Sequence, residues 1–243
     1  MIYRQAGFAC RFSIHSINLI LQLNSGADGA RGDDACTLKP IVAMWLMEQR
    51  PTPDPVIDSH SKSMRGFHHE VTGRLLCPVD YDWNCASVKA AIREFHPDYL
   101  VTAYSWPSFL YRNGEYDSKN LTNGLFCGEL LIRAFRCIFT SPSSANVQVG
   151  SAERPSESQR NARTNWTHCD VSGLLRMRSV QPRAMAYVAV QLRFALSSCE
   201  SWRIKDEDFD YEVFYQNIID YFEHPGSPER QKEIDTLLLL WNQ

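Results

Sequence analysis

A mainly α fold is what this sequence predicts, with a helical core of about five to seven helices and two short β-hairpins. Two segments, residues 125 to 139 (LFCGELLIRAFRCIF) and 182 to 196 (PRAMAYVAVQLRFAL), are apolar around most of a helical circumference, as helices in the middle of a globule are. Near the C-terminus two amphipathic stripes follow, Val213, Phe214, Ile218, Tyr221 and Phe222, then Ile234, Leu237, Leu238 and Trp241, at spacings that place each set on one helical face. With 243 residues, 44% of them hydrophobic, the chain is long enough to bury a full core without disulfides or metals.

Taken in chain order, residues 1 to 37 read as a poorly defined leader and linker. Arg4 and Arg11 stand there without an acid before residue 28, the apolar run Ile17 to Leu23 suggests a short helix, and the Gly/Asp/Ala-rich stretch 24 to 37 reads as a link from that helix to the main domain. A single helical domain is expected over residues 38 to 243. Its first helix runs from Leu38 to Gln49 and is ended by Pro51, Pro53 and Pro55, because each proline biases its predecessor away from the helical region. The string FHHEVTGRLLCP (67 to 78) reads as a hairpin turning at Thr72-Gly73, and Asn113-Gly114 marks a second, since both of those residues tolerate positive φ.

Between the two turns, Ser87 caps a helix carrying Val88, Ile92 and Phe95 that Pro97 stops. Residues 141 to 165 hold only two strongly apolar side chains, Val147 and Val149, too few to offset the entropy of ordering them, so a mobile loop is expected. Asp206, Asp208 and Asp210 gather negative charge where the next helix begins, and Ser227-Pro228-Glu229 starts the last one.

A net charge of −3 argues against binding nucleic acid or anionic lipid through the overall field. No apolar run approaches membrane-spanning length. The eight cysteines form no C-x-x-C pair and no metal-type repeat, which points to free thiols in a reducing, intracellular setting, cytoplasm or nucleus. No nucleophile elbow and no phosphate-cradling glycine motif occurs, so no catalytic residue, cofactor or metal is assigned.

Three clusters remain as candidates. His68, His69 and Glu70, followed by Cys77, Asp80, Asp82, Cys85 and His96, are residue types that move protons or bind metals, and His68, His69, Glu70, Asp80, Asp82 and His96 form the possible polar site. Gly73, however, stands where H-E-x-x-H would need its second histidine, and a polar hairpin face explains the set more plainly. Residues 160 to 183 carry five arginines, among them Arg176, Arg178 and Arg183, against the single acid Asp170, while 200 to 235 carry eleven acids against four bases. Phosphate or nucleic-acid contacts would suit the arginines, and pairing with the acidic C-terminal helices would suit them better. Finally, Trp83, Tyr99, Tyr104, Trp106, Phe109 and Tyr111 crowd one stretch, dense enough to wall a pocket, although core packing accounts for it as simply.

The strings RGFHHEVTGRLLCP (65 to 78), DYDW (80 to 83), WPSFLY (106 to 111), NGLFCGELLIRAF (123 to 135), IFTSPSS (138 to 144), MRSVQPRAMAYVAVQLRFALSS (177 to 198) and the later FDYEVFYQNIIDYFE resemble an uncharacterised domain family expanded in mushroom-forming fungi. The resemblance covers residues 65 to 242 and implies a fungal source and a shared fold, with no activity, cofactor or site residue to carry over. From the residues themselves the expected role is a non-enzymatic protein-binding or adaptor module with a protein partner and no membrane attachment. The alternatives are an enzyme built on the 68 to 96 region and a nucleic-acid-associated protein using the 160 to 183 arginines.

Overall fold

The computed structural model describes residues 14–140 and 177–242, with side chains described from residue 29 onward. The expected mobile loop at 141–165 lies outside the described residues. Among those described, the fold is mainly α, with seven helices and one two-stranded antiparallel sheet. The helices are α1 (Ile14–Met47), α2 (Glu70–Leu76), α3 (Ala86–Arg93), α4 (Glu129–Phe139), α5 (Pro182–Leu196), α6 (Tyr211–Glu223) and α7 (Pro228–Trp241).

The centre is α5. From Met185 to Leu196 it is buried on all but one position, Tyr187, and α1, α4 and α6 pack against it. Phe139 of α4 meets Tyr187 of α5 edge to face with ring centroids 6.5 Å apart. The two most apolar segments of the sequence are therefore neighbouring rods inside the globule. Pro182 opens α5 at its first turn, where the missing N–H costs nothing. α6 begins on Asp210, whose carboxylate accepts from the N–H groups of Glu212 and Val213, both at 3.0 Å, and α7 begins on the hydroxyl of Ser227.

Four local expectations are corrected. The stretch 24–37 is helix rather than linker, since α1 runs unbroken through Gly29, Gly32 and Pro40. Tertiary contacts override the weak helix propensity: Tyr187 donates to Asp34 at 2.6 Å, and Leu38, Val42, Ala43, Trp45 and Leu46 are all buried.

The expected hairpin at 67 to 78 is a 3-10 turn, Gly66–His68, followed by α2. Thr72-Gly73 sits inside that helix, where Thr72 donates to the Gly66 carbonyl at 2.7 Å and a Cβ at position 73 would overlap the Trp83 ring. Gly73 serves close packing, not a turn.

At Asn113-Gly114 both residues do take positive φ, 58° and 68°, but the flanks are 3-10 turns, Ser108–Leu110 and Arg112–Gly114. The Tyr111 backbone bridges to Leu125, while its ring meets that of Tyr116 edge to face with centroids 5.8 Å apart. The two-stranded sheet lies elsewhere, with β1 (Lys205–Asp206) pairing β2 (Phe209–Asp210); of the three acids expected to open α6, Asp210 does so while Asp206 lies in β1 and Asp208 in the turn between the strands. Lastly, α4 starts at Glu129 and not at 125, because Phe126 stands at φ 58° and Gly128 is fixed against the backbone of Phe109.

Candidate functional site

Residues 74 to 79 and 106 to 111 are stitched together by main-chain and hydroxyl bonds. Val79 donates to Trp106 at 3.0 Å, Ser108 N–H donates to Cys77 at 3.0 Å, and the Ser108 hydroxyl donates to the Arg74 carbonyl at 2.6 Å, satisfying an acceptor left open at the end of α2. Above this floor the end of α1, the end of α2, the loop 78 to 84 and the start of α4 enclose a cleft of about 780 Å³. That is within the usual range for ligand pockets.

Trp45, Tyr81, Trp83, Phe109, Tyr111 and Tyr116 line the cleft. Four of them are buried almost completely, so the rings form a rigid floor, while Tyr81 and Tyr116 are half-buried. On one wall Arg133 lies over the Trp45 ring, 4.6 Å from its centroid, and donates to Glu48 at 2.9 Å. Its Nε is buried without a partner among the described residues. At the rim stand Gln49, Asn84 and Asn113, whose side-chain amides hold no hydrogen bond among the described residues, together with the charged groups Arg74, Asp82 and Glu129.

Two reactive-looking side chains of the cleft, Cys77 and Tyr111, are held protonated. Burial pushes the Cys77 thiol up to about 12, with Asp82 adding to the effect, and burial likewise pushes up the phenol of Tyr111. A buried thiol of this kind is inert.

Of the six residues proposed from the 68 to 96 region, only Asp82 lines this cleft. His68 is exposed and faces Glu207 electrostatically. His69 is buried and caps α2: its Nδ1 accepts from the Val71 N–H at 3.1 Å, so Nε2 carries the proton and donates to the Pro55 carbonyl at 2.7 Å. Glu70 accepts from Lys89 at 2.6 Å. Asp80 sits beside the Tyr116 hydroxyl, Asp82 accepts from the Asn84 N–H at 2.9 Å, and His96 caps a 3-10 turn by accepting from Asp98. The structure brings no three of them together, and among the described residues no group of three His, Cys, Asp or Glu is placed to hold a metal ion.

Of the three arginines, Arg176 lies outside the described residues and Arg178 is exposed. Arg183 pairs with Glu223 of α6 at 3.3 Å, the intramolecular arrangement that the opposite charges of the two segments favour. Within the aromatic stretch Trp83, Phe109 and Tyr111 line the cleft, whereas Trp106 packs edge to face on Phe126 and Tyr221 and Tyr104 is exposed.

Sequence reasoning missed Glu48, Arg74 and Arg133, which are far apart in the chain and carry no motif. It also missed three buried cations, Lys62, Arg65 and Arg193. For Arg193 a signal existed, because an arginine in the mostly apolar stretch QLRFAL of the most buried helix has no route to solvent. It lies over the Phe209 ring, 3.2 Å from the centroid, and donates to the Tyr211 hydroxyl at 2.9 Å.

Fold and site together define a mainly α domain with an aromatic-floored, amide-rimmed cleft, and among the described residues no helix is long and apolar enough to cross a membrane. The chain belongs to a family of unknown function (DUF6698), whose model matches residues 25–243. No curated protein matches it, and no solved structure does.

Proposed function

We propose that this domain is a non-enzymatic binding module that receives a short extended segment of a partner protein in the 780 Å³ cleft. The observation that carries this reading is the pairing of a ring floor with free amides at the rim. Side chains of a bound segment would bury on the floor, and Gln49, Asn84 and Asn113 can each donate to and accept from the peptide groups of the segment. Cys77 and Tyr111, held protonated by burial, supply neither nucleophile nor base near neutral pH, which weighs against the enzymatic alternative. The six cysteines among the described residues are free thiols, in keeping with a module that works in a reducing compartment inside the cell.

The test is selection of peptides from a random phage-displayed library on the full chain. Gln49 and Asn84 are both exposed, so Gln49→Arg with Asn84→Arg blocks the rim without touching the core. Enriched peptides should lose binding to this double variant while its unfolding transition stays in place. Peptides that bind the double variant as well as the parent would refute the cleft as the site.

A further inference from the structure

The segment joining α1 to α2 carries two of the most deeply buried cations of the molecule, Lys62 at 1% exposure and Arg65 at 2%, and both reach the carboxyl end of α5. Arg65 donates to the Ala195 carbonyl at 2.8 Å and to the Asp58 carbonyl at 2.7 Å. Lys62 donates from Nζ to the Cys199 carbonyl and lies 3.4 Å from the centroid of the Phe194 ring. Its own N–H donates to the Glu200 carboxylate at 2.7 Å, and Gly66, at φ +68°, closes the segment against Ser198. Residues 57 to 66 are strapped across the end of α5.

Cations suit the end of a helix, where carbonyls lack partners. Arg65 meets that need and stays charged at any pH the protein meets. Lys62 differs, because three ammonium N–H groups face one carbonyl and a ring, with no carboxylate bonded to Nζ among the described residues. Of the groups around it, Glu200 and Cys199 favour its charge while Arg65 and Lys39 oppose it. Glu200 is drawn aside to Lys39, 2.9 Å away, and the Asp58 carboxylate is taken up by the His60 N–H, which donates to it at 2.7 Å. Burial dominates and pulls the amine down to about 7.

We propose that residues 57 to 66 form a proton-controlled strap, whose hold on the end of α5 tightens when the buried Lys62 amine is neutral and loosens when it is charged. The linkage has a definite sign. Above its ordinary value of 10.5 the amine is neutral whether the strap is open or closed. As pH falls from there to about 7, only the open strap takes up the proton, so opening becomes progressively easier, and below 7 the effect levels off.

Hydrogen exchange of the Lys62 and Arg65 amides tests this, corrected for the intrinsic pH dependence of exchange. Those amides are bonded to Glu200 and to the Lys62 carbonyl. Their protection should rise roughly a hundredfold from pH 6 to pH 9 relative to amides of α6, and in Lys62→Met that rise should vanish. An equal rise in the variant, or a parallel rise in α6, overturns the strap. Should the variant fail to fold, the Nζ resonance of Lys62 in the parent decides: a midpoint near 7 that tracks strap protection supports the proposal, and one near 10 overturns it.

Discussion

Gly128 lies so close to Phe109 that a Cβ on it would overlap the Phe109 carbonyl oxygen. Its N–H donates to the Leu110 carbonyl at 3.1 Å, so the residue that caps α4 also locks that helix onto the 3-10 turn flooring the cleft. A backbone atom cannot swing aside as the end of a side chain can. Gly128→Ala should therefore destabilise the protein by about 2 kcal/mol or more, read as a lower urea midpoint at unchanged slope. A loss under about 0.5 kcal/mol would mean that α4 does not approach the turn this closely.

The legible parts of the fold and the hidden ones divide along physical lines. The long apolar segments gave α5 and most of α4, since a helix buried all round leaves a strong pattern, and the caps Asp210 and Ser227 gave α6 and α7. The error at Thr72-Gly73 arose because a turn dipeptide and a glycine kept small by a neighbouring ring look alike; the ring is Trp83, ten residues on. The cleft was half legible. Trp83, Phe109 and Tyr111 were singled out from the aromatic stretch, but their partners Trp45 and Arg133 join them only through tertiary packing. The histidines drew attention by type, yet His69 and His96 serve as caps, a role that spacing alone does not distinguish from chemistry.

The ion pair between Glu70 and Lys89 carries a pH signature. Burial is the largest single influence and pulls the Glu70 carboxyl up, but the hydrogen bond and charge of Lys89, with smaller help from Trp83 and Arg74, together outweigh it and the net shift is downward. Because the folded value lies below the unfolded one, the pair stabilises fully above the ordinary carboxylate range and is lost as pH falls through the folded value. Glu70 is 42% exposed, which screens the pair. Lys89→Met should thus cost up to about 1 kcal/mol at pH 7 and nothing at pH 2, checked by urea unfolding at both; an equal cost at both would contradict the assignment.

Thiol labelling should separate two cysteines eight positions apart. The Cys85 thiol is held below its ordinary value, first by its bond to Ser87, 3.0 Å away, and then by the N–H groups that open α3, whereas burial raises that of Cys77. Alkylation and then peptide mass mapping should show Cys85 modified readily near pH 8 and Cys77 untouched until the protein unfolds. Comparable rates at the two sites would show that neither environment is as described.

Arg183 is 72% exposed in its pair with Glu223, so Arg183→Ala should change stability by less than about 0.5 kcal/mol. If the arginines serve within the molecule, a fluorescent single-stranded oligonucleotide should show no binding at low salt. Salt-sensitive binding lost in the joint variant of Arg176, Arg178 and Arg183 would instead revive the nucleic-acid alternative.

Amide NMR of the full chain, titrated with a library-selected peptide, tests most directly whether the cleft floored by Trp45 and walled by Arg133 receives the segment. Shifts should concentrate at residues 45 to 49, 81 to 84, 108 to 116 and 128 to 133. Shifts confined to another face, or none at saturating peptide, would contradict it.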